Sequence, residues 1–244
     1  RVNRGGTEVM LAAAKDEGVK RFIHCSSLTA LVGRRSQDGA IVDESVRLEP
    51  RDMLGDYPRS KLLAERAVEN ASADGLDAVI AIPTEPLGAG DKRLTPPTRM
   101  ILDFVNGKMP AYIDCVLNFV PVTSLAEGLI AARDRGRGGQ RYIFGGENVS
   151  MPALLDAIAR ATGRAMPKTR LPYAAALAAG AGDTAFARLR GLPPRAPLTG
   201  VRLAGRRVSF SSDKARRELG WRPAPFEAAL ESAIEWFKSE GLSG

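Results

Sequence analysis

Tyr57 and Lys61 stand four residues apart in the segment GDYPRSKLLAERAV, some thirty residues after the run RFIHCSSLTALVG, which carries Ser26 and Ser27 at the end of an apolar stretch. On a helix, residues i and i+4 share one face, about 6 Å apart at the backbone. An ammonium at that range favours the phenolate and draws a tyrosine down from its free value near ~10. The spacing therefore predicts a tyrosine able to give and take a proton near neutral pH. A serine at the end of a buried strand supplies a second hydroxyl to the same neighbourhood.

The elements around these residues alternate. Residues 6 to 17 put Val9, Met10, Ala13 and Ala14 on one helical stripe, stopped by Gly18. Residues 20 to 26 read as a strand, and residues 33 to 51, polar and without period, as a loop. The Tyr57 helix follows, with Leu62, Leu63, Ala67 and Val68 facing the core and Pro58 tolerated in its first turn. Residues 76 to 82 are continuously apolar, as in a strand buried on both faces. Helix, strand, helix, strand is the order of a parallel sheet covered on both sides. The stretch from Pro83 to Pro97 reads as a loop beyond the carboxyl end of that strand, where open α/β sheets bind ligands.

Further on, the sequence predicts helices over residues 99 to 106, 124 to 132, 151 to 162, 173 to 189, 213 to 219 and 225 to 239. Ser150 and Ser212 are expected N-caps and Gly163 a C-terminal stop. Strands are predicted over 118 to 122, 141 to 144 and 208 to 210. In the last helix Phe226, Leu230, Ile234 and Phe237 form one stripe, and Trp221 and Trp236 read as packing residues.

The 244 residues are 44% hydrophobic and 26% charged, as in an ordinary globular protein, with room for one large domain or two interleaved ones. The net charge is +7, but its arginines are scattered (Arg34, Arg35, Arg133, Arg135, Arg137, Arg206, Arg207) without interleaved aromatics, which argues against nucleic acid. Cys25 and Cys115 lack metal or redox spacing and read as reduced core thiols of a cytoplasmic protein; no metal site is expected. No run reaches the roughly 18 to 20 apolar residues of a membrane span. The nearest, residues 171 to 187, is interrupted by Asp183 and glycines. His24, the single histidine, reads as structural.

The serine strand, the Tyr57-x-x-x-Lys61 pair, VNRGGTEVMLAAAKDEGVKRFIHCSS, the IPTEPLGAGD loop and SSDKARRELGWRP together resemble the extended short-chain dehydrogenase/reductase superfamily. TRMILDFVNGKMPAYID with RYIFGGENVS is similar to the hopanoid-associated sugar epimerases and, through them, to dihydroflavonol reductases. The resemblance implies an α/β, Rossmann-like doubly wound sheet with a smaller substrate-binding subdomain. Residues 1 to 85 would belong to the dinucleotide-binding part and 86 to 244 mainly to the substrate part, with 117 to 148 returning to the first sheet. It implies NAD or NADP as cofactor, a small-molecule substrate such as a sugar or carbonyl compound, and a homodimer packed through residues 4 to 17 and 57 to 70.

The same resemblance assigns roles. Ser27 would hydrogen-bond the substrate oxygen, Tyr57 would exchange a proton with it, and Lys61 would hold the nicotinamide ribose and bias Tyr57 toward ionisation. Pro83 and Thr84 match the segment that lies against the nicotinamide, Ser26 and Tyr57 are further cofactor-binding candidates, and Ser26 is the alternative to Ser27 should the register shift by one. Arg99 and Asn118 are candidates for the substrate pocket, and Asn3 for a helix residue near the active site. The implied activity is hydride transfer at a secondary alcohol or ketone carbon, as an epimerase or oxidoreductase. Alternatives are a one-way NADPH carbonyl reductase like the dihydroflavonol reductases and, from another class, a non-catalytic dinucleotide-sensing scaffold or an inactive fragment.

Departures from the pattern narrow this. Leu28-Thr29 stand where dehydratases of the branch carry Asp-Glu. Leu117 stands where nucleotide-sugar 4-epimerases place a diphosphate-binding arginine, and VRLAGRR offers no match to their second one. The chain opens on Arg1, already inside a helical pattern and without a signal peptide, as a truncated or partly recorded chain would. The glycine-rich phosphate turn of the family would precede it, and Gly88 and Gly90 follow the wrong strand to replace it. This 244-residue chain is accordingly expected to bind NADH and NADPH poorly, with no micromolar affinity for either in calorimetric titration.

Overall fold

AVIAIP, residues 78 to 83, is buried at every position. A strand apolar on both faces must be covered on both, and the chain is built around that requirement. In the computed structural model, which describes residues 2–192, 194 and 197–243, the elements run as follows. Helix α1 (Val2–Asp16), β1 (Phe22–Cys25), β2 (Ile41–Val42), α2 (Asp56–Ala73) and β3 (Ala78–Pro83) form the first part. Then come β4 (Glu85–Leu87), α3 (Pro96–Val105), β5 (Ala111–Tyr112), β6 (Val116–Pro121), α4 (Val122–Arg135), β7 (Arg141–Phe144) and β8 (Glu147–Ser150). The chain continues through α5 (Met151–Thr162), β9 (Thr169–Arg170), α6 (Tyr173–Arg190), α7 (Leu198–Ala204), β10 (Ser209–Phe210), α8 (Asp213–Leu219) and α9 (Phe226–Ser239). Arg1 lies outside the described residues.

Strand β3 sits between β1 and β7, parallel to both. Its alternate residues divide the core. Ala78, Ile80 and Ile82 pack with Leu11 of α1, Val68 of α2 and Ile143, whereas Val79 and Ala81 pack with Leu125 and Ala132 of α4, Leu219 of α8 and Trp221. This is a parallel sheet with helices on both faces, a Rossmann-like α/β architecture. A second sheet, β4-β6-β8, pairs β4 parallel and β8 antiparallel to β6. Its apolar residues join α3, α5 and α9 in a separate core that includes Phe119, Leu155, Phe226 and Ile234. Thus β7 returns to the first sheet while β6 belongs to the second. Gly145 and Gly146 make the step between β7 and β8, and a Cβ on Gly146 would collide with the Phe119 carbonyl.

Several expectations hold closely. Ser150 caps α5 through a bond from the Ala153 N–H at 3.3 Å, and Gly163 ends it in the left-handed region. Phe226, Leu230, Ile234 and Phe237 are all buried. Trp221 is buried too, edge-on to Phe144, and donates from Nε1 to the Ser124 carbonyl at 2.7 Å.

Others are corrected. Val9 and Met10 are exposed, and Leu11 and Ala14 are the buried residues of α1, because α2 and the sheet cover only that side. Cys25 is exposed, at the end of a strand that pairs on one side among the described residues, while Cys115 is buried as expected. The stretch after Pro83 is not all loop, since Glu85–Leu87 pairs with β6; nor is 33 to 51, since β2 pairs with β10. Ser212 does not cap α8 with its side chain. Its hydroxyl instead bonds both N–H and carbonyl of Gly145, each at 2.9 Å, and so pins the inter-sheet step.

One buried ion pair joins helix to sheet. Glu65 of α2 meets Arg141 of β7 at 3.1 Å, with both side chains almost wholly inaccessible, 2% and 4%. Removing one partner leaves a buried charge uncompensated, which costs about 3–5 kcal/mol, whereas apolar replacement of both is often near neutral. Arg141→Met is therefore expected to lower the urea-unfolding free energy by about 3–5 kcal/mol, and Glu65→Leu/Arg141→Met by clearly less.

Candidate active site

The carboxyl ends of β1 and β3 and the first turn of α2 face one cavity of about 470 Å³. Ser27 leaves β1 in extended conformation and starts a short 3₁₀ turn, Leu28–Leu31. Its Oγ accepts from the Thr29 N–H at 3.3 Å and the Thr29 hydroxyl at 3.1 Å, which leaves the Ser27 proton free to be given to a ligand. Tyr57, the second residue of α2, is half exposed and lines the same cavity. Thr84 and Asn118 line it as well. Four of the residues singled out by sequence are thus brought together.

Helix α2 carries its polar residues in a graded row at i, i+4 and i+8. Tyr57 faces the cavity, Lys61 donates from Nζ to the carbonyl of Cys25 at 3.1 Å, and Glu65 is buried. Glu65 accepts from the Ser26 hydroxyl and pairs with Arg141, so the row fastens the Tyr57 helix to the strand that ends in Ser27. Burial pushes the Glu65 carboxyl up from its ordinary value, and the Arg141 guanidinium and the Ser26 proton oppose that push. The Ser26 hydroxyl is committed to this anchor. Of the two serines, Ser27 is the one that lines the cavity.

Two further hydrogen bonds hold the start of α2. Asn3 donates from Nδ2 to the Ser60 Oγ at 2.9 Å, and Ser60 donates to the Tyr57 carbonyl at 2.8 Å, linking α1 to the turn that bears the tyrosine. Pro83 is the buried last residue of β3, and Thr84 is buried beside it, its N–H donating to the Phe144 carbonyl at 3.2 Å. Arg99 is not in this cavity; it lies in a neighbouring cleft with Arg93 and Lys108. His24 is buried with Nε2 unpartnered among the described residues, and burial, aided by the Lys61 charge, lowers its pKa to about 4, so it is a neutral imidazole.

Apart from Thr29, Glu85 and Thr95, the rest of the lining is mostly apolar: Leu28 and Val32 from the 3₁₀ turn and its end, Pro86, Pro96 and Pro97, Val116 and Leu117 of β6, Leu203, Val208 and Phe210. Among the described residues the cavity has no arginine or lysine in its wall, and Leu117 is where an arginine would have reached it. Two buried polar atoms face this region unpartnered. Asn118 donates from Nδ2 to Asn148 at 2.7 Å while its Oδ1 has no partner among the described residues, and neither has the Glu85 Oε2. Burial alone pushes the Glu85 carboxyl up to about 8. Sequence reading passed over Glu65 and Glu85. The first is detectable as the next member of the Tyr57, Lys61 row; the second has no signal beyond a carboxylate among prolines.

Hydroxyls from Ser27 and Tyr57 in an apolar cavity can hold and protonate one oxygen of a carbonyl compound, or deprotonate an alcohol. Residues 1–143 match the sequence model of the family described as NAD dependent epimerase/dehydratase. A Synechocystis protein carrying a dihydroflavonol 4-reductase name is 33% identical, over 99% of this chain and 71% of its own length. Sterol demethylase protein B of Methylococcus capsulatus is 31% identical, over 99% and 73%. The crystal structure of gox2253 superposes with a TM-score of 0.83 at 35% identity, covering 99% of this chain and 73% of that one.

The orphaned carboxyl makes stability pH-dependent. Glu85 keeps its proton in the folded state up to about pH 8, while the unfolded chain releases it above the ordinary value of 4.5. The folded protein therefore binds the extra proton between these values, and stability falls as pH rises through that window. Glu85→Gln removes this component. In urea titrations it should match the native protein near the acid end of the window and exceed it by on the order of a few kcal/mol at the alkaline end.

Proposed function

The chain belongs to the NAD dependent epimerase/dehydratase family, and we propose that its cavity converts a secondary alcohol and the corresponding ketone in a small, largely apolar molecule. The observation that carries this reading is that Ser27 and Tyr57 line one cavity whose described wall is mostly apolar and free of arginine and lysine. Ser27 donates to the substrate oxygen. Tyr57 gives that oxygen a proton in reduction and removes it in oxidation, and Lys61 follows it one helical turn along α2.

The residues fit the nicotinamide end of NAD or NADP. Tyr57 lines the cavity and Lys61 stands one helical turn further along α2, two polar partners for the ribose, while Thr84 in the wall and Pro83, buried next to it, would lie against the ring. When bound, the nicotinamide supplies or accepts the hydride. Ser26 contributes by holding the strand end through Glu65.

A one-way NAD(P)H-dependent carbonyl reductase is favoured over a nucleotide-sugar epimerase by the missing cations. A diphosphate buried against Leu117, Val116 and Phe210 would lose hydration with no charged partner in the described wall. The two activities separate by stoichiometry. A reductase consumes one NAD(P)H per turnover, and an epimerase returns the hydride and consumes none.

In the native full-length protein, Tyr57→Phe should lower kcat for ketone-dependent NAD(P)H oxidation by about 10²–10⁴-fold with little change in KM, and Ser27→Ala should lower it less. Unchanged turnover of Tyr57→Phe would rule out both the reductase and the epimerase.

A further inference from the structure

Two features of the sequence have no part in the site: the most apolar run, 171 to 187, and the net charge of +7. They meet on one surface. Helix α6, YAAALAAGAGDTAFARLR, has only Ala176, Gly180 and Ala187 buried. Toward its end Phe186 is 55% exposed and Leu189 86%, and Leu192, just past the Gly191 cap, is 60% exposed. No residue of α6 belongs to the three cores around the sheets, and its main packing partner is α7.

Cations surround this apolar tip. Leu192 and Pro194 form one wall of a cleft of about 600 Å³ whose other walls bring Arg93, Arg99 and Lys108 together against a single carboxylate, Asp103. Those three cations are exposed and form no ion pair with the described residues. On the helix itself, Arg188 is exposed and the Arg190 guanidinium stacks on the Phe186 ring at 5.3 Å.

We propose that the carboxyl end of α6 and the adjoining basic cleft form a docking surface for a membrane rich in anionic lipid. A helix end with exposed Phe and Leu beside a concentration of Arg and Lys matches what an interface requires: apolar side chains to enter the acyl boundary and cations to meet the headgroups. The helix is not long and apolar enough to cross a bilayer, so it lies along the surface. A nucleic acid would use the cations and leave Leu189 and Leu192 in water, which makes lipid the better match. The surface also borders the cavity. Thr95 and Pro96 line both the basic cleft and the cavity, and Gly200, Leu203 and Ala204 of α7 line the cavity beneath α6. On the proposed reading of that cavity, a docked molecule would present its entrance to the layer in which an apolar substrate is dissolved.

The test needs neither cofactor nor turnover, so it is decided separately from the Tyr57→Phe experiment. The native protein is sedimented with vesicles of phosphatidylcholine alone or mixed with phosphatidylglycerol, at low and high salt. Binding is expected on the mixed vesicles and about tenfold weaker on phosphatidylcholine or at high salt. Leu189→Glu, and separately Arg99→Glu/Lys108→Glu, should each weaken it about tenfold or more while leaving the melting temperature unchanged. Leu189 is exposed and outside the cores around the sheets, so its substitution tests the surface without disturbing the fold. The proposal is overturned by no binding to the mixed vesicles or by Leu189→Glu binding as tightly as the native protein. It is also overturned if inorganic phosphate at low millimolar concentration abolishes binding, which would mark a small-anion cleft. Self-association in sedimentation equilibrium that Leu189→Glu abolishes would overturn it too, since a second copy would then cover the patch.

Discussion

The buried carboxylate of Glu65 is the contact on which the geometry of the site depends. It is the point where α2, the end of β1 and the start of β7 are tied together, through the Ser26 hydroxyl on one oxygen and Arg141 on the other. Apolar packing of Val68 and Leu62 would hold α2 against the sheet but leave it free to slide. A charged pair that must find its partner or pay several kcal/mol does not tolerate sliding. The anchor extends further. Arg141 also donates to the Val46 carbonyl at 2.8 Å, and Glu44 accepts the Ile143 N–H at 2.8 Å, so the loop carrying β2 is fixed to the same strand. Two turns up the helix from this cluster stands Tyr57. Its position relative to Ser27 is inherited from a contact that touches neither.

What the anchor positions is a mostly apolar chamber with a few hydrogen-bonding groups in it. The step at Gly145-Gly146 brings Thr84, Asn118 and Ser212 into mutual contact; a Cβ on Gly145 would approach the Asn118 Oδ1 to 2.7 Å and the Thr84 methyl to 2.9 Å. Close approach of the two sheets is therefore what buries the Asn118 carbonyl oxygen without a partner. An unpaired buried acceptor is costly, and sites that retain one commonly pair it with a ligand. Ser27, with its proton uncommitted, has the complementary deficit. The polar groups of the cavity are unsatisfied in the way a small oxygenated molecule would satisfy.

Much of this was legible in the sequence where local chemistry decides. The Tyr57-x-x-x-Lys61 spacing, the continuous apolar run of β3, the Ser150 cap of α5 and the Phe226 to Phe237 stripe are all set within a few turns of chain. The failures fall where a distant partner decides. Glu65 on a helix reads as a solvated charge until Arg141, on the distant β7, is brought beneath it. Glu85 and its neighbours read as loop until β6 pairs with them. Val9 and Met10 have the hydrophobicity of core residues, but α2 packs on the opposite side of α1 and leaves them in water. Ser26 and Ser27 are alike in sequence, and only the Glu65 contact assigns one to the core and the other to the cavity.

The charge distribution around the cavity sharpens the substrate argument. The basic residues within reach, Arg93, Arg99 and Lys108, are gathered in the outer cleft beyond Thr95 and Pro96. Inside, the one carboxyl in the described wall is Glu85, which burial keeps protonated to about pH 8 and which would repel an anion once ionised. An anionic group brought inside would thus lose water, meet no cation, and raise the cost of ionising Glu85 further. A neutral carbonyl compound incurs none of these costs and gains the burial of its apolar surface against Leu28, Val32, Leu203 and Phe210. Discrimination of this kind comes from what the wall lacks. Introducing a single arginine at Leu117 would begin to reverse it, because a cation there would both compensate an entering anion and draw the proton from Glu85.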